Sequence, residues 1–388
     1  MSNEARPVSV EVPVNVWNQV ADGFLEQPSR TVPDPDPLAL EAAIAAIAGA
    51  KRPVIVVGSG AYDASLQVTA LAEKLQAPVF TRRQGHGVVD ARHPLWVPLA
   101  VGHDLWADAD VAIGVGTRME FPILHWGTDD DLQIVQINVD EAELDRHELG
   151  AIGVHGDAAE VLDKLLASSA IATLEPASRA DDLAERRAAF GNDIAHMEPQ
   201  LSHLDAIRRA LPDNGIIVED VTQMGFAAQF AFEFRHPRTF LSTGPAGTLG
   251  AGVAQAIGAQ AAAPDRPVLA LVGDGGFLFT ATELATAAQY NIPVTILVHD
   301  NASYGNVKRM QQDKFGPDRT IASDLVNPDF VAFGDSSGLH TQRADSAEEL
   351  EPALEAAFAH NGPSLIVSKT GEVPNPWPFM VMPRNRGL

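Results

Sequence analysis

The 388-residue chain contains no cysteine. A disulfide framework, a thiolate nucleophile and a thiolate metal site are therefore excluded, and no redox evidence for a compartment remains. Basic charge is also scarce: 27 Lys and Arg stand against 51 Asp and Glu, a formal net charge of −24. Such a balance disfavours partners with phosphate backbones or anionic membrane surfaces, so neither nucleic acid nor membrane is expected as a partner. The acidity is spread along the chain rather than gathered in a tail, as on a solvated surface. No apolar run approaches membrane-span length, and the first residues lack the charged and apolar zones of a signal peptide. A cytoplasmic location is the expectation.

What the chain has is 46% apolar content and repeated β/α patterning, enough for two cores. The expected fold is α/β, with two doubly wound, mostly parallel-sheet domains. Residues 1–37 read as a residual strand (8–13) and a Pro-rich linker, and 38–167 as a central Rossmann-like domain. Residues 168–199 read as a linker with a charged helix, and 200–388 as a second β/α domain. In the central region, helices are expected at 38–48 and 65–76, with strands at 53–57, 78–80, 111–115 and 133–138.

The most informative stretch runs from Gly273 to Gly305. The apolar run 268–272 is a buried strand broken by Gly273-Asp274-Gly275-Gly276; a helical pattern over 283–289 ends at Asn291-Ile292-Pro293, and strand 294–298 then delivers Asp300-Asn301. A right-handed βαβ unit sets these two strand ends side by side. An Asp and an Asn at one sheet edge, beside glycines whose bare backbone can approach a ligand, suit Mg2+ bound to a diphosphate. Alone, GDGG fits an ordinary Gly turn equally well. The added Asn301, which follows Gly275 after 25 intervening residues, and the turn Ala302-Ser303-Tyr304-Gly305 shift the reading to the metal site.

This composite resembles the diphosphate-binding motif of thiamine-diphosphate (ThDP) enzymes, and the resemblance extends along the chain. The stretch 216–223 resembles the first strand of that family's diphosphate domain, Thr243-Gly-Pro-Ala-Gly-Thr-Leu-Gly250 its aminopyrimidine loop, and 304–309 and 323–330 the acetolactate-synthase-like branch, which acts on 2-oxo acids. It implies metal ligation by Asp274, Asn301 and the Ser303 carbonyl. It implies cofactor contacts from Gln223, Gly273, Gly275, Gly276, Tyr304 and Gly305. The loop 247–249 would form the pyrimidine cradle: a Gly247 carbonyl, Thr248, and Leu249 as the wedge that bends the cofactor.

Members of this family carry an N-terminal pyrimidine domain whose Glu contacts the cofactor ring and drives formation of the ylid, and only 6–13 resembles any of it, as its last strand. Neither Glu11, on an alternating strand, nor Glu283, in the motif helix, fits that role. No catalytic residue is expected in this chain. A separate pyrimidine-domain subunit should supply the Glu, with homo-association and a small 2-oxo acid substrate; a fragment is the other reading of the same pattern. A 2-hydroxyacyl-CoA lyase subunit and a non-catalytic scaffolding subunit stand as alternative functions, Arg384 and Arg386 being the only basic cluster noted for CoA. Gly58-Ser-Gly60 and Gly114-Val-Gly-Thr-Arg118 could serve FAD or ADP, but lack the dinucleotide spacing and read better as tight turns. Arg118 could face a phosphate or join a surface ion pair. His86, His103 and His125 lack metal-ligand spacing and are expected in loops, exposed or capping.

Overall fold

The computed structural model describes residues 9–20, 23, 32 and 34–387. Among the described residues, eleven strands lie in two sheets. The first contains β1 (Pro53–Val57), β2 (Val79–Phe80), β3 (Val111–Val115), β4 (Gln133–Asn138) and β5 (Ile152–His155), in the order β2-β1-β3-β4-β5. The second contains β6 (Ile216–Glu219), β7 (Phe240–Ser242), β8 (Val268–Gly273), β9 (Thr295–Asp300), β10 (His340–Arg343) and β11 (Ser364–Lys369), in the order β10-β11-β9-β8-β6-β7. Every strand pairing within both is parallel, as the β/α alternation requires.

Parallel sheets are covered on both faces, so their strands read as unbroken apolar runs. The period-two geometry still divides the side chains. In the second sheet Ile217, Leu269, Leu271, Leu297 and Ile366 join a core continuous with the first sheet. Ile216, Val218, Val268, Ala270, Val272, Ile296 and Val298 face a separate core on the opposite side.

The central strands fall where expected, as do the helices Pro37–Gly49 and Ser65–Leu75, the latter closed by Gln76 in the left-handed region (φ 49). Strand β5 and the helix Leu99–Asp108 have no counterpart in the sequence reading. Gly102 lies inside that helix because the ring of Phe80 crosses it: an added Cβ would lie 2.5 Å from the ring. A glycine there weakens the helical signal while serving a contact the local sequence does not reveal. The strand expected over 8–13 is not found. Val8 and the rest of 1–8 fall outside the described residues, and residues 9–13 are exposed and irregular, followed by one 3-10 turn, Val14–Val16. Alternation alone makes no strand without a ladder to pair with. Within 168–199 the charged helix is Ala180–Ile194, which buries Leu183, Phe190 and Ile194.

After β11 the chain runs back across the molecule. The Trp377 indole donates to Asn306 Oδ1 at 2.5 Å, and Phe379 packs on Phe190 and Phe230. The backbone N–H groups of Asn385 and Arg386 both donate to the Trp126 carbonyl. Arg386, 6% exposed, donates to the Trp106 and Ala109 carbonyls and pairs with Asp129 at 2.7 Å. This strap joins the second sheet to the first.

Candidate cofactor site

Strand β6 is flanked by β7 on one side and β8 on the other, so the chain reverses direction across the sheet between β6 and β8. Ligands of open parallel sheets bind at such a switch point, beyond the strands' carboxyl ends. A cavity of about 310 Å³ opens there, lined from the ends of β6 (Thr222), β8 (Gly273) and β9 (Asn301). The expected adjacency of the two motif strands is observed, with Gly273 opposite His299 in register.

Asp274 is 2% exposed; its Oδ2 accepts from the Ser303 N–H at 3.2 Å, and Asn301 Oδ1 accepts from the same N–H at 3.1 Å. Two oxygens converging on one N–H must lie beside each other. Burial pushes the Asp274 carboxyl upward, countered by its hydrogen bond from Asn327. The turn that carries Ser303 has Ala302 at φ 53. It is pinned on both sides, the Tyr304 N–H donating to the Ser323 carbonyl and the Leu325 N–H to the Ala302 carbonyl, both at 2.8 Å. A carboxylate, an amide oxygen and a backbone carbonyl make a hard-oxygen set suited to Mg2+ with phosphate oxygens. Among the described residues no cluster of three or more His, Cys, Asp or Glu side chains offers an alternative metal site.

Gln223 begins the helix Gln223–Ala231 and Gly305 the helix Gly305–Phe315, and both line the cavity, an arrangement of two helix starts that suits an anion. Gln223 Oε1 is buried without a partner among the described residues. Gly275 and Gly276 line the floor, where side chains would not fit: a Cβ on Gly275 would lie 2.4 Å from the Tyr304 ring, and one on Gly276 would lie 2.9 Å from Asp220 Oδ2. Gly247 (φ 58) and Leu249 line the far wall, and Tyr304 closes the side. Thr248 is the exception. Between the left-handed Gly247 and Gly250 the chain turns it outward, and it is exposed and away from the cavity.

Two residues of this arrangement escaped the sequence reading. Asn327 donates through Nδ2 to Asp274 Oδ2 at 2.7 Å and to Asp300 Oδ1 at 2.8 Å, holding the two strand ends together. It lies in the 323–330 stretch, whose Asn-Pro pair marks a loop but not its target. Asp220 receives the N–H of Val221 at 2.7 Å and of Gly250 at 3.1 Å, tying the β6 end to the 243–250 loop.

In the first sheet, the glycines at the β1 and β3 ends pack on one another. The Gly60 N–H donates to the Gly116 carbonyl at 3.0 Å, and a Cβ on Gly58 would lie 2.4 Å from the Gly116 oxygen. Close backbone approach accounts for them as tight turns. Arg118 pairs with Glu143 at 3.3 Å. His125 is exposed, its ring tilted by 30° against that of Phe121 at 4.6 Å. His86, expected in an exposed loop, is instead buried between Phe234 and Phe240, and burial pulls it down to about 3. His103 sits on the helix Leu99–Asp108 with Nε2 2.9 Å from the Pro383 carbonyl. Glu11 is exposed, and Glu283 accepts from Thr286 Oγ1 at 2.8 Å in a local contact. The burial of Arg386 removes it from any CoA-binding surface. No helix among the described residues is long and apolar enough to cross a membrane.

With this geometry in place, the chain belongs to the thiamine pyrophosphate enzymes: residues 220–368 match the thiamine pyrophosphate enzyme C-terminal TPP binding domain, and 40–165 match the central domain. It is 34% identical to a probable 2-ketoarginine decarboxylase of Pseudomonas aeruginosa, over 94% of this chain and 67% of that protein. It is 32% identical to a probable acetolactate synthase large subunit of Methanocaldococcus jannaschii, over 85% of this chain and 59% of that one. An acetolactate synthase large subunit of Corynebacterium glutamicum is 31% identical, over 96% and 64%. The chain therefore spans between 59% and 67% of the length of these relatives.

Proposed function

We propose that this chain binds ThDP through Mg2+ and provides the diphosphate-binding half of an active site that decarboxylates a 2-oxo acid, or ligates the resulting acyl unit to a second carbonyl. The observation that carries the reading is the convergence of Asp274, Asn301 and the Ser303 turn on one cavity flanked by two helix starts. When bound, ThDP supplies the electron sink for the departing carboxylate. The chain's own share is binding and orientation. Asp274, Asn301 and the Ser303 carbonyl hold the metal, and the backbones of Gly275, Gly276 and Gly305, with Gln223, hold the diphosphate. Leu249 and Gly247 set the angle of the aminopyrimidine.

The carboxyl group that activates the cofactor comes from a pyrimidine-domain partner in this reading. Exposed apolar side chains near the cavity support it: Phe279 at 61%, Met310 at 61%, Val307 at 45% and Leu278 at 40%. The test is CO2 release from pyruvate and other 2-oxo acids by the purified chain, with and without a pyrimidine-domain subunit. Turnover only in the mixture is expected. Robust turnover by the chain alone would refute the partner requirement, and absence of Mg2+-dependent ThDP binding would refute the site.

A further inference from the structure

The turn that carries the metal ligands is backed by a segment that does not itself line the cavity. Ser303 and Asp324 form an isolated antiparallel bridge, which lays the chain from Ser323 to Asn327 along the turn. The helix that follows, Phe330–Ser336, sets its Phe330 ring edge-on against Phe277, 5.3 Å between centroids, and Phe277 lies on the same helix as Asp274. The segment is therefore held at both ends against the two elements that carry the metal ligands. At its centre Asn327 Nδ2 donates to Asp274 Oδ2 at 2.7 Å and to Asp300 Oδ1 at 2.8 Å. Both acceptors are carboxylate oxygens, so the amide nitrogen must face them; the reversed amide would turn its oxygen on two anions. Asn327 Oδ1 is itself buried without a partner among the described residues, a cost that the two charge-assisted bonds offset.

Those bonds decide which oxygens are left for a cation, because each carboxylate oxygen has two lone pairs to give. On Asp274 Oδ2 one takes the Asn327 amide and the other the Ser303 N–H at 3.2 Å. On Asp300 Oδ1 one takes the same amide and the other the Ala302 N–H at 3.1 Å. Asp274 is thus left with Oδ1 alone to offer, and Asp300 lines neither of the adjoining cavities at these strand ends. Mg2+ is satisfied by single oxygens in a strict octahedron, whereas the larger Ca2+ takes more ligands and readily holds a carboxylate by both oxygens. A carboxylate with one oxygen withheld favours the smaller ion.

Resting on the ThDP and Mg2+ reading above, we infer that Asn327 is a positioning residue that sets the metal preference of the site: by holding Asp274 Oδ2 it limits the carboxylate to one ligating oxygen and selects a small octahedral cation over Ca2+. The test is calorimetry on the whole chain, as wild type, Asn327→Ala and Asn327→Ser, titrated with ThDP in saturating Mg2+, Mn2+ or Ca2+ and with each metal alone. The wild type is expected to bind ThDP more tightly with Mg2+ or Mn2+ than with Ca2+. Asn327→Ala should weaken binding about tenfold or more with Mg2+ and Mn2+. With Ca2+, which gains the released oxygen, the loss should be smaller, so that the preference narrows by about threefold or more. Asn327→Ser keeps one O–H donor for one of the two carboxylates and should fall between. A residue that only stabilised the loop would cost the same with every metal, so equal losses overturn the inference, as do undiminished affinities or a wild type without preference. If Asn327→Ala does not fold, Asn327→Ser decides on the same criterion. Wild-type ThDP binding that needs no metal overturns the inference and leaves the cofactor reading standing. Selective metal binding without ThDP binding, with a selectivity that narrows in Asn327→Ala, refutes the cofactor reading and leaves the inference standing.

Discussion

Replacing Asp274 with Ala separates a ligand from a structural residue, because its two effects are opposite in weight. In the unliganded chain the carboxylate accepts the Asn327 amide and the Ser303 N–H, each contributing about 0.5–1.5 kcal/mol. Against this stands the cost of a buried carboxylate beside Asp300, the repulsion that helps raise it. The two nearly cancel, and unliganded stability should change by no more than about 1 kcal/mol. Cofactor binding has no such offset. Losing the one carboxylate of the metal site costs about 3–5 kcal/mol, more than a hundredfold in affinity. At ligand a hundred times the wild-type dissociation constant, binding adds about 2.7 kcal/mol to wild-type stability but no more than about 0.4 kcal/mol to the variant. In a thermal melt the ligand should raise the wild-type midpoint by about 3 °C and the variant by about 0.5 °C. An undiminished midpoint shift with Mg2+ and ThDP in Asp274→Ala would refute the site assignment. A large loss of unliganded stability would refute the account of opposing terms.

Leu249→Ala should leave ThDP and Mg2+ binding within about threefold while lowering turnover of the assembled enzyme more than about tenfold, since orientation rather than affinity is lost; calorimetry beside steady-state rates checks it, and parallel losses would count against the wedge. Glu219, pushed up to about 7 by burial, binds more protons folded than unfolded between its ordinary value of 4.5 and that point. Stability it contributes is therefore present at low pH and declines as pH rises through this window, by at most about 3 kcal/mol. Urea melts from pH 5 to 8 should show a shallower decline in Glu219→Gln, and equal slopes would contradict the burial argument. Gly116→Ala combines φ 57 with a Cβ 2.3 Å from the Gly60 carbonyl carbon, so a loss of more than about 2 kcal/mol in urea unfolding is expected. An unchanged midpoint would show that the β1–β3 turns can relax apart.

What could be read from the chain was local. Runs such as 268–272 and 111–115 declare buried strands, and the glycines bounding Asp274 mark where a strand yields to a ligand. The central strands and the side-by-side motif strands follow from that. Asn327 could not be found this way, because its link to Asp274 spans 53 residues and its own neighbourhood says only that a loop is present. Asp220 was quoted within the β6 stretch, yet its grip on Gly250 lies 30 residues away. His86 misled because glycines surround it, and its burial comes from Phe240 in the other sheet and Phe234 in the loop before it. Thr248 misled for the opposite reason: two left-handed glycines turn it away from a loop whose other members face inward.

The strap that carries Arg386 constrains the order in which the first sheet acquires its hydrogen bonds. The carbonyls of Trp106, Ala109 and Trp126 receive their donors from residues 385–386, more than 250 positions later in the chain. A ribosome making about 5–20 residues per second reaches those donors some ten seconds or more after the first sheet has emerged. Until then the carbonyls of Ala109 and Trp126 must take their donors from water, while that of Trp106 keeps the Ala109 N–H. The second sheet must already be in place for the strap to cross it through Trp377 and Phe379. Residues 385–386 thus add, after both sheets have been made, a polar link to the core the sheets already share.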